Sequence, residues 1–146
     1  MKPVQFVTRT LGVAALALTS LAAVGGTIKL KADLKGASEV PAKEVAGTGK
    51  VETTLNTETN EFSYHVVFSG LTGVPVAAHF HGPAGEGVNA KPQIPIKGTP
   101  IATPIEGKAT LTPDQAKDLL DGKWYFNVHT AAYPSGEICG QVVKVE

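Results

Sequence analysis

The sequence predicts an all-β domain: an eight-stranded antiparallel Greek-key sandwich or barrel with one short connecting helix. Three observations carry the prediction. Eight short apolar or alternating segments follow one another from residue 27 to residue 145, with turn residues recurring about every 8–12 positions. A single segment carries helical start and stop signals. About 120 residues remain once an N-terminal leader is set aside, the size of one domain.

The candidate strands, in order, are TIKLKADL (27–34), GTGKVETTL (47–55), EFSYHVVFSG (61–70), VPVAAHFHG (74–82), QIPI (93–96), PIEGKATL (104–111), KWYFNVHT (123–130) and EICGQVVKV (137–145). In LNTETNEF, Asn56, Thr59 and Asn60 favour a turn between the second and third, making the clearest hairpin. Phe62, Tyr64, Val66 and Phe68 alternate with Ser63, His65, Val67 and Ser69, so the aromatic set shares one face. The helix lies in LTPDQAKDLLDG (111–122). Thr112 caps it, Pro113 suits its first position, and Gln115 completes a capping box. Leu111 can staple onto Ala116, Gly122 suits the left-handed stop, and Lys117 with three aspartates marks a solvated outer face. The Gly- and Pro-rich stretch GPAGEGVNAKPQ (82–93) reads as a loop. It lacks the GxxxxGK[ST] pattern of a phosphate cradle.

Residues 1–25 read as a secretory signal peptide. Lys2 and Arg9 precede the apolar run LGVAALALTSLAAV (11–24), and small residues allow cleavage after Ala22 or Gly25. The run is short of the roughly 18–20 residues that an uncleaved membrane anchor needs. The expected location is periplasmic or secreted, with residues 26–146 as the domain and no membrane association after cleavage.

Without Lys2 and Arg9, 11 basic residues face 13 acidic ones, a net charge of −2 with no basic run. Nucleic acid is thereby disfavoured, since phosphate binding needs clustered positive charge. Cys139 is the single cysteine, so no internal disulfide can form. In GEICGQVV it reads as a small buried hydrophobe, with an intermolecular disulfide or a thiolate ligand as the alternatives.

The chemistry-bearing residues are histidines, of which the chain has four. In a strand, His79 and His81 of AHFHG point the same way and Phe80 the other. Val76, Ala78 and Phe80 form the expected inner set of that strand; Trp124, Phe126 and Val128 form that of KWYFNVHT. His79, His81 and His129 are then outward and near strand ends, and they converge if the two strands are sheet neighbours. Three neutral imidazoles suit one copper ion, with zinc as the alternative, because copper is bound more strongly by nitrogen donors. The competing reading is three solvated surface histidines. His65 is outward on its own strand and is expected to be solvated. No G-x-S-x-G, CxxC or HExxH motif is present, and Glu86, Glu106, Asp118 and Glu137 are scattered.

LKGASEVP (34–41), GLTG (70–73), AAHFHGPAGEGV (77–88), LTPDQAKDLLDGKWYFNVHT (111–130) and YPSGEICGQ (133–141) together resemble a chordin-type (CHRD) domain, over about residues 28–145. The strings H-[FI]-H-G-P-A and W-Y-x-N-V-H-T, in that order, are the most specific. In animal chordins the domain is part of larger secreted growth-factor antagonists; in bacteria it usually stands alone behind a signal peptide. A more distant likeness is to Cu,Zn superoxide dismutases, in GLTGVPVAAHFHG, NVHT and SGEICGQVV. It implies the same Greek-key fold and places His79, His81 and His129 on copper-ligand positions. The bridging histidine, the zinc ligands and the disulfide partner of Cys139 are missing. The superoxide-guiding arginine is replaced in the region of Gly136 and Glu137, where Glu137 would repel an anion.

The expected function is copper binding, storage or delivery at a mononuclear three-histidine site, with binding weakening below about pH 6. Two other classes stay open. One is a metal-free extracellular interaction module, with 82–100 as contact surface and a protein partner or a second copy as ligand. The other is an enzyme with superoxide dismutase activity.

Overall fold

A computed structural model describes residues 25–146. The signal-peptide expectation for 1–25 falls outside them, Gly25 excepted. The strands are β1 (Thr27–Lys35), β2 (Thr48–Asn56), β3 (Glu61–Ser69), β4 (Pro75–His81), β5 (Pro92–Pro95), β6 (Ile105–Thr110), β7 (Trp124–Thr130) and β8 (Ile138–Lys144). Helix α1 (Pro113–Leu120) joins β6 to β7, and one 3-10 turn (Gly36–Ser38) follows β1.

The eight strands form one sheet in the order β5-β4-β7-β8-β1-β2-β3-β6, with antiparallel pairing throughout. β4 and β3 are each second from an opposite end of that order, yet Phe62 of β3 meets Phe80 of β4 edge to face at 5.1 Å between ring centroids. The sheet therefore rolls over on itself and encloses the core, as a nearly closed barrel. Phe126 and Trp124 of β7 complete the cluster, at 4.6 Å from Phe80 and 5.9 Å from Phe62 respectively. All four rings are fully buried. Such tilted and edge-on pairs contribute about 0.5–1.5 kcal/mol each beyond the area that they bury.

The local signals act as expected. Asn56 Oδ1 accepts the amides of Glu58 and Thr59, and Asn60 turns the hairpin at φ 56°. Thr112 and Gln115 make the reciprocal capping box, and Gly122 ends the helix at φ 72°. Ala116 and Leu119 are the buried face of α1. Gly140 lets β8 lie against β1, because a Cβ there would clash with the Asp33 carbonyl.

One inner-face expectation is corrected. Val76 is 39% exposed although Ala78 and Phe80 are buried. The ladder between β4 and β7 shifts register between Pro75 and Ala77, so the alternation is broken at Val76.

Candidate metal centre

β4 and β7 are hydrogen-bonded neighbours with the register Ala77↔His129, His79↔Asn127 and His81↔Tyr125. Period-two alternation and this register place His79, His81, Tyr125, Asn127 and His129 on one outward face, behind the aromatic core. The rings of His79 and His81 lie 5.3 Å apart, those of His79 and His129 5.0 Å, and those of His81 and His129 6.5 Å. One nitrogen from each can be chosen so that all three lie within 4.8 Å of one another. Among the described residues this is the one group of three or more His, Cys, Asp or Glu side chains so placed.

Hydrogen bonding identifies the nitrogens. His81 Nδ1 lies 2.9 Å from the Ala90 carbonyl, and His129 Nδ1 lies 2.9 Å from that of Pro134. A carbonyl only accepts, so in each neutral ring Nδ1 carries the proton and Nε2 keeps a lone pair facing the cluster. His79 offers Nδ1, 3.2 Å from His129 Nε2. Donors on one ion at roughly 2.0–2.1 Å lie about 3–4 Å apart, so the set closes on an ion with a movement of under about 1 Å.

Electrostatics keep these lone pairs free. Burial, and then the neighbouring His129 and His81, hold the His79 imidazole below the usual histidine range. Burial also lowers His129; the Pro134 carbonyl opposes this, and His81 adds to it. Both rings are thus biased toward the neutral form that ligates metal.

The outward face is only partly solvated: His79 and His129 are half-buried, and His81 is covered. Residues 82–91 fold back over it, so His81 is only 7% exposed. Its ring stacks on Tyr125, at 4.8 Å between centroids and 2° between planes. Tyr125 Oη accepts the Ala90 amide, Gln141 donates to the Ala84 carbonyl, and Gln93 donates to the Gly82 carbonyl. Ala84, Tyr125 and Cys139 form a second small apolar cluster beneath this loop, with Ala90 packed against it. Cys139 is buried, as expected of a small hydrophobe, but in this outer cluster instead of the barrel core. Burial pushes its thiol up to about 12, with the Glu39 carboxylate beside it acting in the same sense.

Glu39 itself is 8% exposed, and burial raises its carboxyl to about 7 against a partial offset from Lys43 and the Cys139 thiol. Gly136, at φ 122°, leaves room for that carboxyl, since a Cβ would stand 2.7 Å from both of its oxygens. Glu137 does not face solvent as an anion-repelling group. It is fully buried and accepts from the Thr72 amide at 2.7 Å and the Thr130 hydroxyl at 2.6 Å, tying the 70–73 turn to the end of β7.

All three predicted histidines therefore come together. His65 does not join them; it lies on β3 and pairs with Glu106 of β6 at 2.9 Å on an exposed surface. Tyr125 and Asn127 were missed as site residues. Their signal was present in KWYFNVHT, where both share the parity of His129.

No curated protein and no solved structure matches the chain, so the likeness to Cu,Zn superoxide dismutases gains no support from a known structure. A family match is found: residues 30–142 fit the CHRD domain, a stretch running from the middle of β1 into β8 and holding all three histidines. The chain belongs to the CHRD domain family.

Proposed function

We propose that the protein is an exported copper-binding protein, holding one copper ion through His79 Nδ1, His81 Nε2 and His129 Nε2 for binding, storage or delivery. The observation that carries the reading is the convergence of three imidazoles, two of them with Nδ1 tied to a backbone carbonyl. That arrangement fixes tautomer and ring angle before metal arrives, as in protein metal sites generally. Nitrogen donors without a thiolate or thioether favour copper over the other divalent ions of the first row by intrinsic affinity, with zinc next to it. CHRD domains occur in extracellular proteins, and no described helix is long and apolar enough to cross a membrane.

Equilibrium dialysis against Cu(II), Cu(I) and Zn(II), with metal counted per chain, tests the reading. One equivalent of copper, retained in the presence of zinc, is expected. A metal-free interaction module is the second reading, favoured by Val88, 59% exposed on the loop over the site. Absence of stoichiometric metal would leave that module standing in place of the copper protein.

A further inference from the structure

We propose that the side-chain oxygen of Asn127 is the fourth donor of the site, giving a three-nitrogen, one-oxygen set that holds Cu(II) in preference to Cu(I). The inference rests on the reading of His79, His81 and His129 as a copper site.

Distance comes first. Asn127 Oδ1 lies 2.9 Å from His81 Nε2 and 3.1 Å from His129 Nε2, and His129 Nε2 lies 3.2 Å from His79 Nδ1. Adjacent donors on a single ion at roughly 2.0–2.1 Å stand about 2.9–3.4 Å apart for angles between square-planar and tetrahedral. All three separations fall in that range.

Proton accounting points the same way. The carbonyls of Ala90 and Pro134 hold the protons of His81 and His129 on Nδ1. Both Nε2 atoms then present lone pairs to Asn127 Oδ1, which presents lone pairs in return. Such a meeting of lone pairs is repulsive unless a positive charge lies between the atoms, either a metal ion or a second proton on the ring. In the neutral metal-free protein, a half-turn of the amide from the orientation described would bring Nδ2 into the same place, where its two N–H groups can donate to the two ring nitrogens. With metal, the oxygen turns in. Asn127 is 4% exposed and stands directly opposite His79 in the ladder. A buried amide costs about 1–3 kcal/mol when unpartnered, and the partners that Asn127 finds here are the imidazoles of His81 and His129.

The chemistry then sets the oxidation state. An amide oxygen is a hard donor and suits the tetragonal N,O surroundings of Cu(II); Cu(I) prefers soft donors and gains little from it.

Cu(II) and Cu(I) affinities of the parent, Asn127→Val and Asn127→Asp, measured by chelator competition with electron paramagnetic resonance of each Cu(II) form, test the assignment. Asn127→Val is expected to lose about 10–100-fold in Cu(II) affinity, to change its copper hyperfine splitting, and to keep its Cu(I) affinity. Asn127→Asp, which retains an oxygen at that position, is expected to raise the ratio of Cu(II) to Cu(I) affinity above that of the parent. Unchanged affinity and spectrum in Asn127→Val would overturn the assignment while leaving the three-histidine site intact. Equal losses for both oxidation states would overturn it too, making Asn127 a residue that only orients the rings. Should Asn127→Val fail to fold, Asn127→Asp decides, and an affinity ratio equal to the parent's overturns the assignment. A parent that binds no copper would overturn the proposed function itself, together with this inference.

Discussion

Replacing Glu39 by Gln removes a carboxyl that the fold keeps out of water. Its pKa rises from 4.5 to about 7, chiefly through burial. A raised folded value means that the protonated form is the one the fold tolerates. The stability associated with Glu39 is full below pH 4.5 and is lost progressively as the pH rises through about 7, because the unfolded chain ionises first. At about 1.4 kcal/mol per pH unit, the displacement corresponds to roughly 3 kcal/mol between pH 4 and pH 8. Glutamine is neutral at both values. Urea unfolding of parent and Glu39→Gln, with a chelator present to remove any metal contribution, gives the difference in stability at each pH. Local costs of the amide, such as an unpaired N–H beside the buried Oε1 position, are the same at both and cancel. So do the other titrating groups. The variant is expected to gain on the parent by roughly 3 kcal/mol as the pH rises from 4 to 8. A difference that stays constant within about 0.5 kcal/mol would refute the burial argument. It would also undermine the packing described beneath the 82–91 loop, where Glu39, Cys139 and Tyr125 support the face that carries His81.

Two further predictions concern the histidines. His79 and His129 are held below the ordinary value of 6.5, so the metal-free protein is expected to lose stability as the pH falls below about 6.5, levelling off once both rings are charged in the folded state as well; urea midpoints from pH 8 down to pH 4 in parent and His79→Ala, which should be less pH-dependent, check this. His81→Ala is expected to lower copper affinity by well over the roughly 10–100-fold typical of losing a supporting residue, whereas His65→Ala should leave it unchanged and cost at most about 1 kcal/mol for its exposed pair with Glu106; chelator competition with both variants decides.

Much of the barrel was legible because strand periodicity is a local property. The alternation of Phe62, Tyr64, Val66 and Phe68, and of Trp124, Phe126 and Val128, sets each inner face, and the capping box at Thr112 and Gln115 sets the helix. The convergence of His79, His81 and His129 followed once β4 and β7 were allowed to be neighbours, since parity alone places all three on one side. Three features were hidden for physical reasons. The 82–91 segment has no hydrophobic period, yet it folds down through Ala84, Ala90 and hydrogen bonds at Gly82, Ala84 and Ala90, and it buries His81 on a face that alternation reads as solvated. Val76 departs from its parity because a register shift is a property of the pair of strands and leaves no mark in one. The burial of Glu39 and Glu137 depends on partners far along the chain, Cys139 for one and Thr72 for the other. Asn127 is the instructive case. Its parity with His129 was readable, but a polar residue in an alternating strand looks like an ordinary outward residue until the covering loop is seen.

The most direct test of the account is a copper titration of residues 26–146, followed by electron paramagnetic resonance of the Cu(II) form and compared with a His79/His81/His129 triple-alanine variant. The account predicts one equivalent of copper bound to the parent, nitrogen hyperfine structure in its spectrum, and loss of both in a variant that remains folded. A parent that binds no stoichiometric copper, or a folded triple variant that binds it with the same spectrum, would contradict the claim that these three histidines form a copper site.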